Sequence, residues 1–114
     1  MASLATSLVL EQDSDFVLCF ADVEVNLDRT TVKRRRVPIE VTAAEYELLT
    51  YFLLNEGREL SRDMILNSVW SYLASPSTRT VDAHVLRLRQ KLEPNPLIPR
   101  HFLTVHGVGY RFRY

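Results

Sequence analysis

The sequence predicts an α+β domain that runs in the order antiparallel sheet, three helices, β-hairpin. Three observations carry that expectation. From Phe16 to Val41, short runs rich in β-branched and aromatic residues alternate with turn-forming residues. From Thr42 to Leu92, apolar residues recur at spacings of three and four, as on helices that bury one face. The end of the chain, FLTVHGVGYRFRY, sets two extended runs on either side of a glycine-bearing turn. A length of 114 residues fits one domain, and a hydrophobic fraction of 46% supplies a modest core.

Residues 1 to 15 are rich in Ser, Thr and Ala and then acidic at Glu11, Asp13 and Asp15, which reads as a linker or the edge of a domain. The folded part is expected over residues 16 to 114. Four strands are expected at FVLCF, VEVNL, TTVKR and VPIEV. The basic run Lys33 to Arg36 is short and has acidic neighbours in sequence, so it reads as a solvated hairpin turn rather than a nucleic-acid contact.

The first helix is expected over Thr42 to Asn55. Thr42 and Glu45 fit a capping box, in which hydroxyl and carboxylate satisfy opposite backbone donors. Tyr46, Leu48, Leu49, Phe52 and Leu53 form its buried face, and Gly57 is a plausible stop. Ser61 caps a second helix that turns Ile65, Leu66 and Val69 inward and ends at Trp70. The connection from Ser71 to Pro76 is too long for a tight helix-turn-helix.

Ser77 to Leu92 is the stretch around which the rest is organised. Val81, Val85, Leu88 and Leu92 form one apolar stripe. Arg79, Ala83, Leu86 and Gln90 lie opposite it, with Arg87 on the flank. Ser77 or Thr78 caps the start, and Asp82 in the first turn and Lys91 in the last suit the helix dipole. Pro94, Pro96 and Pro99 then forbid continuation, and the hairpin follows.

Composition excludes more than it selects. Cys19 is the only cysteine and sits in an apolar run, so it reads as a buried structural thiol. His84, His101 and His106 lack metal-ligand spacing with any cysteine or carboxylate pair. No serine lies in a nucleophile elbow, and no glycine-rich loop follows a strand and opens a helix. An enzyme is therefore not expected, and neither is a metal or a cofactor. The opening residues lack the basic start of a signal peptide, and no apolar run approaches the length of a membrane span, so a cytoplasmic protein is expected.

The net charge of zero hides an asymmetry. Residues 78 to 114 hold seven Lys/Arg against two Asp/Glu, whereas residues 1 to 77 hold seven against twelve. A basic C-terminal third is a plausible phosphate-binding face.

Three helices followed by a hairpin is the order of a winged helix-turn-helix. Several motifs fall in order along the chain: Val41-Thr42 through Glu45, the pair Val69-Trp70, RTVDAH at Arg79 to His84, LRQKL at Leu88 to Leu92, and GVGYRF at Gly107 to Phe112. From about residue 20 to the end, the sequence resembles the C-terminal effector domain of OmpR/PhoB-type response regulators.

That resemblance implies sequence-specific binding of double-stranded DNA, as the effector domain of a bacterial two-component transcription regulator. It implies a four-stranded N-terminal sheet, a third helix in the major groove and a C-terminal wing in the neighbouring minor groove. It assigns DNA contact to Arg79, Thr80, His84, Leu86, Arg87, Arg89, Thr104 and His106. It assigns the loop that includes Trp70, Ser71, Tyr72 and Leu73 to contact with DNA or RNA polymerase, with two alternatives open: a core anchor at Trp70, and a salt bridge or snorkelling side chain at the domain's edge for Arg89. A receiver domain in the full-length protein and a dimer on DNA are further implications. Two residues depart from the pattern: Leu86 stands where relatives often carry a polar or basic reader, and His106 stands at the wing tip where arginine is common. Both remove charge from the expected face. They leave open a second reading, in which the winged helix serves mainly for protein contact.

Overall fold

The computed structural model describes residues 8–10, 16–71 and 77–114, with side chains from residue 16 onward. The chain divides into two compact units, residues 1–42 and 43–114.

The first unit is a five-stranded antiparallel sheet whose strands follow chain order: β1 (Leu8–Leu10), β2 (Phe16–Phe20), β3 (Val23–Asn26), β4 (Thr31–Arg34) and β5 (Val37–Ile39). Its register pairs Leu18 with Val25, Phe20 with Val23, and Val25 with Val32. These five side chains share one face by the two-residue alternation of a strand, and all are buried. The four expected strands are present, and β1 is a fifth, inside the stretch expected to be linker. The run Leu8-Val9-Leu10 pairs with Phe16–Leu18, because β2 otherwise offers an open edge of backbone donors and acceptors.

The basic run is the β4–β5 hairpin, as its length suggested. Arg35 and Arg36 take left-handed φ values of 53° and 68°, the backbone of a two-residue hairpin turn. Asp22 receives Arg35 Nε at 3.0 Å and Arg34 Nε at 3.5 Å. Burial opposes ionisation of Asp22, but the hydrogen bond from Arg35 and the charge of Arg34 outweigh it and lower its pKa.

The second unit contains α1 (Ala43–Leu54), β6 (Leu60–Ser61), α2 (Arg62–Val69), α3 (Thr78–Leu92), β7 (Phe102–Val105) and β8 (Gly109–Phe112). The two residues of β6 went unread in the sequence, being too short to show a period. They add to the outer side of β8, which gives a small sheet in the order β6-β8-β7. The core joins Leu48, Leu49 and Phe52 of α1, Ile65 of α2, the α3 stripe, and Phe102 and Phe112 of the hairpin, all fully buried. Phe52 meets Phe102 edge-on, with ring centroids 5.7 Å apart, and Phe102 lies 5.2 Å from Phe112.

Two glycines have separate jobs. Gly107 turns the hairpin with φ +79°, beside the bond from Val108 N to Val105 O. Gly109 is inside β8, where a Cβ would lie 2.2 Å from the carbonyl oxygen of Leu60. Only a residue without a side chain lets β6 approach β8 this closely.

Candidate nucleic-acid interface

The helix α3 is fixed in rotation by its own sequence. Val81, Val85, Leu88 and Leu92 are at most 1% exposed, so Arg79, Ala83, Leu86, Arg87 and Gln90 point to solvent. Ser77 caps the start, accepting from Arg79 N at 3.1 Å. The last turn carries Lys91, the residue expected there, and also Arg89, both of a sign that suits the helix dipole.

Asp82 has a different task from the one expected of it. The helix begins at Thr78, which puts Asp82 beyond the first turn. One carboxylate oxygen accepts both from Arg62 Nε at 2.8 Å and from Tyr110 Oη at 2.6 Å. This joins α3 to the start of α2 and to β8. The guanidinium carbons of Arg62 and Arg89 lie 5.1 and 5.6 Å from the Tyr110 ring centroid. Burial raises the pKa of the Tyr110 phenol, and the hydrogen bond to Asp82 and its charge raise it further, against a smaller opposing effect of Arg62. The bond to Asp82 holds Arg62 more firmly protonated.

Glu93 ends the helix and was not singled out by the sequence. Its side chain is 1% exposed and accepts three backbone N–H groups: Arg100 on Oε1, His101 and Phe102 on Oε2, each at 2.8 Å. This carboxylate closes the proline-containing loop and delivers the chain into β7. Glu45, expected as part of a capping box, is also buried and accepts from Lys91 Nζ at 2.6 Å, a tie between α1 and α3.

The expected site residues separate into three groups. Arg79, Leu86, Arg87 and His106 are exposed, the first three on α3 and the last in the hairpin turn. Thr80, His84, Arg89 and Thr104 are engaged with the protein itself. His84 Nδ1 donates to the Thr80 carbonyl at 2.8 Å, and its ring packs edge-on against Trp70 at 4.9 Å. Arg89 donates from Nε to the Phe102 carbonyl at 2.8 Å and from Nη2 to Thr104 Oγ1 at 2.9 Å. Arg89 thus binds the hairpin to the helix, and Thr104, though exposed, already accepts one hydrogen bond. The third group is the loop after α2. Trp70 is 3% exposed and its ring packs against His84, in keeping with the core-anchor reading. Ser71 is exposed, whereas Tyr72 and Leu73 lie outside the described residues.

Among the described residues no group of His, Cys, Asp and Glu is arranged to hold a metal ion, and no helix is long and apolar enough to cross a membrane.

Residues 36–112 match the family described as "Transcriptional regulatory protein, C terminal". The sensory transduction protein RegX3 of Mycolicibacterium smegmatis is 38% identical over 97 residues, which are 85% of this chain and 42% of that protein. The chain therefore spans less than half the length of this relative. Among solved structures, the response regulator DrrB of Thermotoga maritima, described as an OmpR/PhoB homologue, superposes with a TM-score of 0.78 at 30% identity, over 86% of this chain and 44% of that one. The DNA-binding domain of the response regulator AdeR, determined in complex with an intercistronic region, gives a TM-score of 0.69 at 27% identity, over 83% of this chain and 96% of that one. With its helices and hairpin in the expected order, the chain belongs to the C-terminal, winged-helix effector domains of OmpR/PhoB-type transcriptional regulators.

Proposed function

We propose that the chain binds double-stranded DNA in a sequence-specific manner, as the effector domain of a two-component transcription regulator. The observation that carries this reading is the outer face of α3. Arg79, Leu86, Arg87 and Gln90 are exposed on a helix whose rotation is fixed by a fully buried stripe and whose neighbouring hairpin is tied to it. A helix of this kind fits the major groove, and the hairpin then reaches the adjacent minor groove. The AdeR relative, determined with an intercistronic region, supports the same use of the fold.

Roles follow from exposure. Arg79 and Arg87 are free to meet phosphates or base edges, and His106 presents its ring at the wing tip. Thr80 and His84 lie at the rim of the face and contribute to backbone contact, while Arg89 and Thr104 hold the wing in position. Ser71, Tyr72 and Leu73 belong to the segment offered to RNA polymerase. The full-length protein carries a receiver domain, acts in the cytoplasm and pairs as a dimer on DNA.

A second reading, protein contact as the main use, draws on Leu97 and Ile98, which are 90% and 70% exposed in the loop after Glu93. Salt separates the two. The test is selection of duplexes from a random-sequence pool, followed by affinity measurement over a range of salt. DNA binding gives a log–log slope of about −0.9 for each phosphate neutralised. Recovery of no enriched sequence, or affinity indifferent to salt, would overturn the DNA reading.

A further inference from the structure

We propose that Leu86 makes α3 a reader of the 5-methyl group of pyrimidines, so that thymine and 5-methylcytosine are equivalent at one base step while uracil and cytosine are rejected. The inference rests on the groove reading of α3 and deepens it by naming the chemical group that is recognised.

The stripe Val81, Val85, Leu88 and Leu92 fixes which residues face out. At about 100° per residue, Leu86 lies roughly 130° from the centre of that stripe. It is 52% exposed, and no other large apolar side chain of α3 is exposed among the described residues. Ala83, one turn earlier on the same side, is also exposed. Together they make a narrow apolar lane. Arg79, Arg87 and Gln90 flank it with donors.

The chemistry of the major groove then selects the partner. Guanine and adenine present acceptors and amino donors there, and cytosine presents an amino donor. A leucine set against any of these strips water from a polar atom and returns no hydrogen bond. The C5-methyl group of thymine is the one apolar group in the major groove. Methylation of cytosine at C5 puts the same group at the same edge. Flanking Arg79 and Arg87 hold the helix on the duplex, so the contact is judged by the fit of one methyl group and not by overall affinity.

The experiment uses a duplex recovered by this chain from a random-sequence pool. Each thymine is replaced singly by uracil, which removes one methyl group and leaves the base pair unaltered. The expected result is one thymine at which uracil weakens binding by about fourfold, the equilibrium equivalent of one methyl group left in water. At that position a cytosine–guanine pair binds worse than thymine–adenine, and 5-methylcytosine restores about fourfold relative to cytosine. In Leu86→Ala, melting as the wild type does, the uracil and methylcytosine effects both vanish. In Leu86→Met they persist, because the apolar reach is kept. Uracil tolerated at every position, or a penalty that survives Leu86→Ala, overturns the methyl reading while the groove reading stands. A Leu86→Ala chain that melts far below wild type also overturns it, because the side chain then belongs to packing or to a protein interface. Failure to recover any duplex overturns the groove reading, and this inference with it.

Discussion

The phenol of Tyr110 donates to the carboxylate of Asp82 at 2.6 Å, across 28 residues of chain, and so joins the second wing strand to α3. Seven residues further along the helix, Arg89 grips the first wing strand through the Phe102 carbonyl and Thr104 Oγ1. The two ties stand about 10 Å apart along the helix axis. A hairpin held at two such points cannot pivot about either one. The angle between α3 and the wing is therefore set before any partner arrives, which lowers the ordering cost of binding.

Tyr110→Phe removes one tie and leaves Asp82 with Arg62. Loss of a hydrogen bond to a carboxylate that retains access to water is expected to lower stability by about 1–2 kcal/mol, read from urea unfolding. Because burial and Asp82 raise the phenol's pKa, its neutral form favours the folded state. That contribution is complete below the ordinary tyrosine value near ~10 and is lost as pH rises through the higher folded value. Wild type should therefore lose more stability than Tyr110→Phe on going above pH ~10. Equal alkaline slopes would show that Tyr110 is not the group responsible.

Glu93→Ala leaves three backbone N–H groups without their acceptor at a site that is 1% exposed. Each stranded donor costs about 1–3 kcal/mol, so a loss of at least ~3 kcal/mol is expected. Glu93→Gln keeps one amide oxygen and should fall between wild type and alanine. Thermal melts of the three proteins check the order, and an alanine variant as stable as wild type would contradict it.

Lys91→Met takes the cation from Glu45, whose side chain is 2% exposed. Removing one partner of a buried pair is expected to cost about 3–5 kcal/mol. Adding Glu45→Gln removes the charge that was left behind and should recover a large part of that loss. Denaturant midpoints of the two single variants and the double variant form the cycle. Additive losses would mean that the pair is not coupled.

Arg87→Ala tests the exposed face of α3 without touching its stripe. A loss of about 1–3 kcal/mol limited to the selected sequence marks base readout. A weaker, sequence-independent loss with a salt slope shallower by about one marks phosphate contact. Gel-shift titrations on selected and scrambled duplexes distinguish the two, and unchanged affinity on both would remove Arg87 from the interface.

What could be read from the sequence was what repeats locally. Val81, Val85, Leu88 and Leu92 announce their common face within 12 residues, and all four are buried. Strands β2 to β5 of the first unit, the Ser61 and Ser77 caps and the hairpin turn were equally visible, because each depends on neighbours a few residues apart. The exposure of Arg79, Leu86 and Arg87 followed by elimination once the stripe was known.

The amino-acid sequence by itself determined the order of elements, the apolar face of each helix and the absence of any recognisable catalytic motif, since these follow from periods of two and 3.6 residues and from residue chemistry. Only the tertiary structure decided which polar groups became internal ties. Asp82 looked like a dipole partner and became the acceptor for Arg62 and Tyr110. Arg89 became the clasp of the wing, and the Trp70 ring packed against His84. Gly109 looked like part of a turn and proved to be the point at which Leu60 passes too close for a Cβ. The physical reason is the same in each case. Each of these groups finds its partner among residues some 13 to 49 positions away, and that proximity exists only after the helices and strands have packed.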